Sequence, residues 1–316
     1  MKKNGITRYL LHRLEFFSLL LLSALFNALP EKWVYVLVRV IGLFVFHVVC
    51  LRREVTMENL RNSFGKELSE AELKKIAESS YINIGMTFTE MLFFQRLLGQ
   101  IRERMDMTET SLLARTFEKG RGVILISGHF GNWELNSAVI AKIGYPLTVV
   151  AKKQSNLLVD AYINRNRQTE NLQLVSTGAP AKQVIRALRN KQAVGLISDQ
   201  DAGKNGIFVE FFGRKASTPR GGAELALKYG IPVLVMATVR TTPGRYKFLV
   251  REVRIHSDDT VETLTRRYTA ILETLIRDHP EQYFWMHRRW KTQPSKPVDG
   301  RKGNGTASAE TSGGIA

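Results

Sequence analysis

Short apolar runs at Val123–Ser127, Leu147–Ala151, Leu172–Ser176, Ala193–Ser198 and Pro232–Val239 punctuate the middle of the chain. The segments between them, Asn132–Ile143, Leu157–Glu170, Ala179–Asn190 and Arg220–Tyr229, carry the mixed spacing of helices. Apolar strands alternating with helices predict an α/β fold, a mostly parallel central sheet flanked by helices on both faces. Tyr246–Ile255 reads as a further strand, joined to the previous one through Thr242-Pro-Gly-Arg245, and Asp258–Asp278 as a closing amphipathic helix. Upstream, Ser69-Glu-Ala-Glu-Leu has the form of a capped helix start, and the apolar periodicity continues from Leu73 to Leu98.

The amino-terminal pattern is different. Phe16–Pro30 is uncharged and mostly apolar, and a second apolar run reaches Leu51, interrupted by Arg39 and His47. Neither is a clean span of about 20 residues, yet each is more evenly apolar than one face of a soluble helix requires. Lys2, Lys3, Arg8 and Arg13 precede the pair and Arg52-Arg53 follow it, which favours the cytoplasm for both flanks. A shallow helical hairpin, or a tilted anchor with an interfacial helix, satisfies this; helices buried in the core are the competing reading. A cleaved leader fits poorly, because no small-residue cleavage site with a polar start follows the first run. From Gln293 onward the chain is rich in Gly, Ser, Thr, Lys and Pro and has no packing face, so it is expected to be disordered. The predicted organisation is a membrane-associated helical segment over 1–53, an α/β domain over 54–291 and a tail over 292–316.

Composition narrows the partners. At 316 residues and 44% hydrophobic content the chain can bury a full core as one large domain with terminal additions. Its formal charge of +17 seeks anionic partners. The basic residues are dispersed and form no nucleic-acid-binding motif, which argues against a nucleic-acid role. Cys50 is the only cysteine, so an intramolecular disulfide is excluded; its apolar surroundings predict a buried, inert thiol.

Chemistry concentrates in Ser127-Gly-His-Phe-Gly-Asn-Trp-Glu134, directly after the Val123 strand. Open α/β sheets place reactive groups in such strand-to-helix turns. An imidazole that takes a hydroxyl proton must be neutral, held in one tautomer and stabilised once charged, and a carboxylate on its second nitrogen does all three. His129 is the candidate base and Glu134, five positions on, the nearest carboxylate. Gly131 lets the backbone approach a substrate and Asn132 is a candidate N-cap, so amides at the helix start are candidate oxyanion donors. The competing reading is a capping turn with a structural histidine. No His-Glu-x-x-His or Cys-x-x-Cys spacing supports a metal site, and Ser127 lies outside a Gly-x-Ser-x-Gly elbow.

Asp199 follows the Ala193 strand as His129 follows its own, so both are expected along one sheet edge. Arg165 and Arg167, late in the Leu157 helix, have the guanidinium geometry to clamp a phosphate or bond the carboxylate of Asp199; a solvated helix face is the alternative. Phe208 to Pro219 mixes aromatic and basic residues and suits an apolar wall beside an anion site, against the alternative of core packing. Tyr283-Phe-Trp-Met-His-Arg-Arg-Trp290 suits a membrane interface or a phosphate headgroup, against packing of the last helix on the sheet.

Together these segments resemble the lipid A biosynthesis (late, secondary) acyltransferase family, of the lauroyl- or myristoyl-transferase type. The features that carry the resemblance are the apolar start, Arg52-Arg53 with Glu58-Asn-Leu-Arg-Asn-Ser-Phe64, the His-Phe-Gly-Asn-Trp-Glu box, Asn164-Arg-Asn-Arg167, Ser198-Asp-Gln-Asp201, Phe211-Phe-Gly-Arg-Lys-Ala-Ser-Thr-Pro219 and Phe284-Trp-Met-His-Arg-Arg-Trp290, in family order from about residue 8 to 291. The resemblance implies a glycerolipid-acyltransferase-like fold and transfer of a fatty acyl group from acyl carrier protein, or from acyl-CoA, to a hydroxyl of an anionic membrane glycolipid at the inner leaflet of a bacterial inner membrane. It implies no metal or bound cofactor. His129 matches the family's general base, Glu134 its orienting acid, and Arg167, with Arg165 as the alternative, and Asp199 match polar site residues. Lys215 stands where the family pattern has proline, a change expected to act on loop stiffness.

Overall fold

The structure is a computed structural model that describes residues 2–176 and 180–294. Two long helices open it, α1 (Lys2–Ala28) and α2 (Glu31–Phe44), the latter widening into a π-helical turn over Val45–Val49. The stretches Thr7–Ala28, 22 residues, and Glu31–Val49, 19 residues, are each long and apolar enough to cross a membrane by length and composition, a longer continuous helix in each case than the charge interruptions suggested. Helix α2 buries a stripe of Val34, Tyr35, Val38 and Gly42 at helical spacing. Leu14, Leu21 and Val40, at 64%, 72% and 59% exposure, point away from the protein. The pair is thus an apolar outer layer rather than core. Cys50 and Arg52 adopt left-handed conformations (φ 54° and 55°) in the turn that ends this layer. Cys50 is exposed there, which corrects the expectation of a buried thiol: the apolar run around it faces outward.

Helices α3 (Arg53–Phe64) and α4 (Glu70–Glu90) follow. Ser69 and Glu72 form the expected capping box at the start of α4. The predicted single helical stretch to Leu98 is broken after Glu90 by a 3-10 turn over Met91–Phe93, then continues as α5 (Phe94–Gly99), α6 (Ile101–Arg104), the short strand β1 (Met105–Asp106) and α7 (Thr110–Glu118). The remaining elements are β2 (Val123–Ser127), α8 (Trp133–Lys142), β3 (Leu147–Ala151), α9 (Leu157–Arg167), β4 (Leu172–Ser176), α10 (Pro180–Arg189), β5 (Ala193–Ile197), β6 (Ile207–Phe211), β7 (Arg214–Thr218), α11 (Gly221–Tyr229), β8 (Val233–Thr242), β9 (Arg245–Val253) and α12 (Val261–Asp278). The predicted start of α10 at Ala179 lies outside the described residues. Of the expected tail over 292–316, Thr292 is instead held by Asp201, through its N–H at 3.2 Å and its Oγ1 at 2.9 Å, and Gln293 donates to Trp290 O at 2.7 Å; residues 295–316 lie outside the described residues.

The main sheet has seven strands in the order β1-β9-β8-β2-β5-β3-β4. All neighbours are parallel except β8 and β9. One face carries α3, α4, α11 and α12 through Ile124, Ile126 and Val235; the other carries α2, α5 and α8 through Val123, Leu125 and Leu234. Strand β2, buried at every position, lies between β5 and β8, so the loop after it opens in the middle of the sheet's carboxyl edge.

Two segments took the packing alternative. Phe208–Thr218 falls within the two-stranded β6–β7 hairpin, turned at Phe212 (φ 51°) and Gly213 (φ 68°). Phe211 and Phe212 are buried against Tyr283 and Trp285, so this is core rather than a ligand wall, and Lys215 sits in β7 opposite Glu210. In the carboxyl-terminal stretch Tyr283, Trp285, Met286, Arg289 and Trp290 are buried, and Arg289 donates to Ser217 O and Thr218 Oγ1 at 2.6 Å each.

Candidate active site

The turn after β2 is shaped by close backbone approach. Gly131 has φ 61°, and a Cβ there would lie 2.0 Å from Thr238 O on β8, so glycine alone fits. Its N–H donates to Gln282 O at 3.0 Å, and the N–H of Asn132 donates to Thr238 O at 2.8 Å. Asn132 Oδ1 then accepts from the amides of Glu134 and Leu135, both at 3.1 Å, as the N-cap of α8. Its Nδ2 donates to Glu90 Oε2 at 2.6 Å, and the residue is fully buried. These bonds correct one expectation: Gly131 and Asn132 build the turn, and their amides are committed to protein carbonyls rather than presented to a substrate.

His129 emerges from this turn between two strand ends. The β2–β5 register, with Ser127 opposite Ile197, brings the residues beyond them together. Asp199 takes His129 with both oxygens: Oδ1 lies 2.9 Å from Nδ1, and Oδ2 accepts the His129 backbone N–H at 2.9 Å. The Asp199 side chain is 2% exposed and that of His129 23%, so the carboxylate is sealed and the ring is reachable. A carboxylate on Nδ1 keeps the proton there and leaves the Nε2 lone pair outward. Gln200 Nε2 stands 3.5 Å from that Nε2. Trp133 and Phe284 flank the ring at centroid distances of 5.4 and 6.0 Å, and Phe88 extends the aromatic group beyond Trp133.

Burial opposes charge on both partners, and the pairing outweighs it. Desolvation would lower the His129 pKa, but the Asp199 charge and hydrogen bond, with a smaller contribution from Glu134, raise it above the ordinary histidine value. Burial would raise the Asp199 carboxyl, but His129 holds it below the usual aspartate range. Neighbouring His287 is pushed down chiefly by burial and accepts the Asp201 N–H on Nε2 at 3.0 Å.

Glu134 occupies a different place from the one its spacing suggested. Arg167 binds it in a fork, Nε to Oε2 and an Nη to Oε1, both 2.7 Å, with side-chain exposures of 19% for Arg167 and 11% for Glu134. The hydrogen-bonded acid of His129 is therefore Asp199; Glu134 contributes charge from nearby and is itself held by arginine. Of the two arginines considered, Arg165 is exposed and Arg167 joins the site. Its helix end is fastened by Gln95 Nε2, which donates to Asn166 O (2.7 Å) and Gln168 O (3.0 Å), and by Asn166 Nδ2, which donates to Met91 O (3.1 Å). Asp199 binds neither arginine. Ser127 Oγ accepts from Asn136 at 2.8 Å in a buried position, which leaves it no path to a substrate.

Sequence reasoning places Gln200 beside Asp199 past the Ala193 strand but assigns it no role, and it misses the buried group behind the turn. There Arg240 binds Glu90 (Nη2 to Oε2, 2.5 Å) and Asn83 (2.9 Å), and Tyr35 of α2 donates to Glu90 Oε1 (3.0 Å). Glu90 thus connects the α8 cap with the amino-terminal helices.

Comparison with known proteins adds to this geometry. Residues 2–292 match the family described as bacterial lipid A biosynthesis acyltransferase. The chain is similar to the lipid A biosynthesis palmitoleoyltransferase of Escherichia coli (strain K12), 28% identical over 250 residues, covering 77% of this chain and 80% of the relative. It is 26% identical over 274 residues to the lipid A biosynthesis lauroyltransferase of the same organism, covering 84% and 88%. A phosphatidylinositol mannoside acyltransferase of Mycolicibacterium smegmatis is 26% identical over 196 residues, covering 61% and 64%.

Proposed function

The chain belongs to the bacterial lipid A biosynthesis acyltransferase family, and from that premise we propose that it moves a fatty acyl chain from acyl carrier protein to a hydroxyl of a lipid A precursor, with His129 as general base. The carrying observation is the placement of His129: Nδ1 fixed by a sealed carboxylate, Nε2 outward among Trp133, Phe284 and Gln200.

In this reading His129 Nε2 takes the acceptor hydroxyl proton as the oxygen attacks the thioester carbonyl. Asp199 stabilises the imidazolium, and the Gln200 amide donates to the developing oxyanion. The carbon–sulfur bond then breaks, the ester remains on the glycolipid, and His129 returns its proton to the leaving thiolate. Arg167 forms a neutral ion pair with Glu134 beside the site, and so holds that carboxylate in place near the imidazolium. The exposed apolar faces of α1 and α2 support attachment to a membrane, and the basic flanks at Lys2, Lys3, Arg8, Arg13 and Arg52-Arg53 favour the cytoplasmic side of the inner membrane. The charge of +17 favours approach of both an acidic carrier and an acidic glycolipid.

The second reading, favoured by the phosphatidylinositol mannoside acyltransferases among the relatives, is the same transfer to another anionic glycolipid. Purified protein incubated with acyl carrier protein or CoA thioesters, against a lipid A precursor and a phosphatidylinositol mannoside, separates the two by product mass. Gain of one acyl chain on the lipid A precursor alone supports the first; acylation of only the mannoside ends it.

A further inference from the structure

Arg39 interrupts the apolar run that follows Lys32 in α2, and the transfer site does not use it. With Lys32, seven positions earlier and so on the same face of α2, it lines a cavity of about 650 Å³ between α2, α6 and the β8–β9 turn. Arg104 and Arg245 line it too, with Glu31 and Glu103. Arg104 is committed to Glu31 by a fork of 2.6 and 2.8 Å and to Gly244 O at 3.3 Å. That corner is fixed: Gly244 has φ 72°, and a Cβ there would lie 2.6 Å from Glu31 Oε1. Arg245 donates, among the described residues, only to the Glu103 carbonyl, at 2.9 Å. Among the described residues, Lys32, Arg39 and Arg245 have no carboxylate within ion-pair distance. The stripe next round α2 is Trp33, Leu37, Val40, Ile41 and Phe44, all exposed. Uncompensated cations beside an exposed apolar stripe match a molecule with an anionic head and alkyl chains.

We propose that this cavity binds the phosphate headgroup of an anionic phospholipid of the bilayer, whose chains lie along the apolar stripe of α2. The site is separate from the His129 turn and shares none of its residues. It rests on the membrane attachment proposed above, not on the acyl-transfer chemistry.

The test is flotation of the full chain with vesicles of phosphatidylcholine alone or with added phosphatidylglycerol. Three proteins are compared: wild type, Arg39→Gln/Arg245→Gln, and Lys228→Gln/Arg266→Gln, which removes equal charge from α11 and α12 on the other face of the sheet. The cavity variant is expected to lose on the order of 30-fold in partition to the anionic vesicles, about fivefold per residue, with binding to phosphatidylcholine unchanged and the α11/α12 variant near wild type. Equal losses in both variants, or none in the cavity variant, overturn the site while leaving membrane attachment standing. Failure of wild type to float with either vesicle overturns both. Unchanged flotation of the cavity variant with a raised KM for glycolipid in detergent assigns the cations to the acceptor and overturns the phospholipid site.

Discussion

Asp199 holds His129 at two points, its Oδ1 on Nδ1 and its Oδ2 on the backbone N–H, each at 2.9 Å. One carboxylate thereby sets both the ring's tautomer and the position of its chain. Asp199→Asn keeps the size but loses the charge, and can place an amide N–H against Nδ1. A fall in kcat of about 10²- to 10⁴-fold is expected, with KM for either substrate changed little and an unaltered circular dichroism spectrum. Equal effects on kcat and on folding would assign Asp199 to structure alone.

The raised pKa of His129 has a definite sign in the rate profile. Protonated imidazole cannot accept the hydroxyl proton, so activity falls as pH drops through the folded-state value. The acid limb of kcat/KM is expected above about 6.5, the ordinary histidine value. In Asp199→Asn burial remains while the raising charge is gone, so the limb of the residual activity moves to lower pH. Rates measured across the neutral range in both proteins check the direction.

Glu134 and Arg167 form a unit. Removing either leaves the other unpaired in a partly enclosed site, so Glu134→Gln and Arg167→Gln are each expected to cost about 1–3 kcal/mol of stability. The double variant should cost less than the sum of the two. Urea unfolding of the cycle measures this coupling, and additive losses would contradict it.

Behind the turn, Glu90 and Arg240 have side-chain exposures of 0% and 3%. Breaking one side of such a pair leaves a buried charge, at about 3–5 kcal/mol. Glu90→Ala is therefore expected to lower the urea midpoint more than either Glu134 or Arg167 variant, and to weaken the Asn132 cap of α8 as well. A midpoint within error of wild type would show that water replaces the carboxylate.

The reach and the limit of the sequence both show at this site. Strands β2, β3 and β4 were legible to the residue because each is a short apolar run closed by turn residues. The β6–β7 hairpin was not, since its turn is Phe212-Gly213 rather than a residue pair that favours left-handed backbone, and its aromatics read equally as ligand wall or core. Asn132 as a cap followed from local chemistry. The partner of His129 did not: Glu134 is five residues away and Asp199 seventy, and only the pairing of β2 with β5 brings Asp199 alongside. The local acid was instead the counter-charge of Arg167, whose approach depends on how α9 is fastened to α5 and the turn before it. Cys50 misled for a related reason, because an apolar run does not say whether it faces the core or a bilayer.

The most direct measurement is single-turnover acyl transfer by His129→Gln against wild type, with acyl carrier protein thioester and lipid A precursor, read by product mass. The account predicts one added acyl chain with wild type and at least about 10²-fold slower transfer with the variant, at unchanged folding and unchanged binding of both substrates. Transfer by the folded variant at the wild-type rate would contradict it.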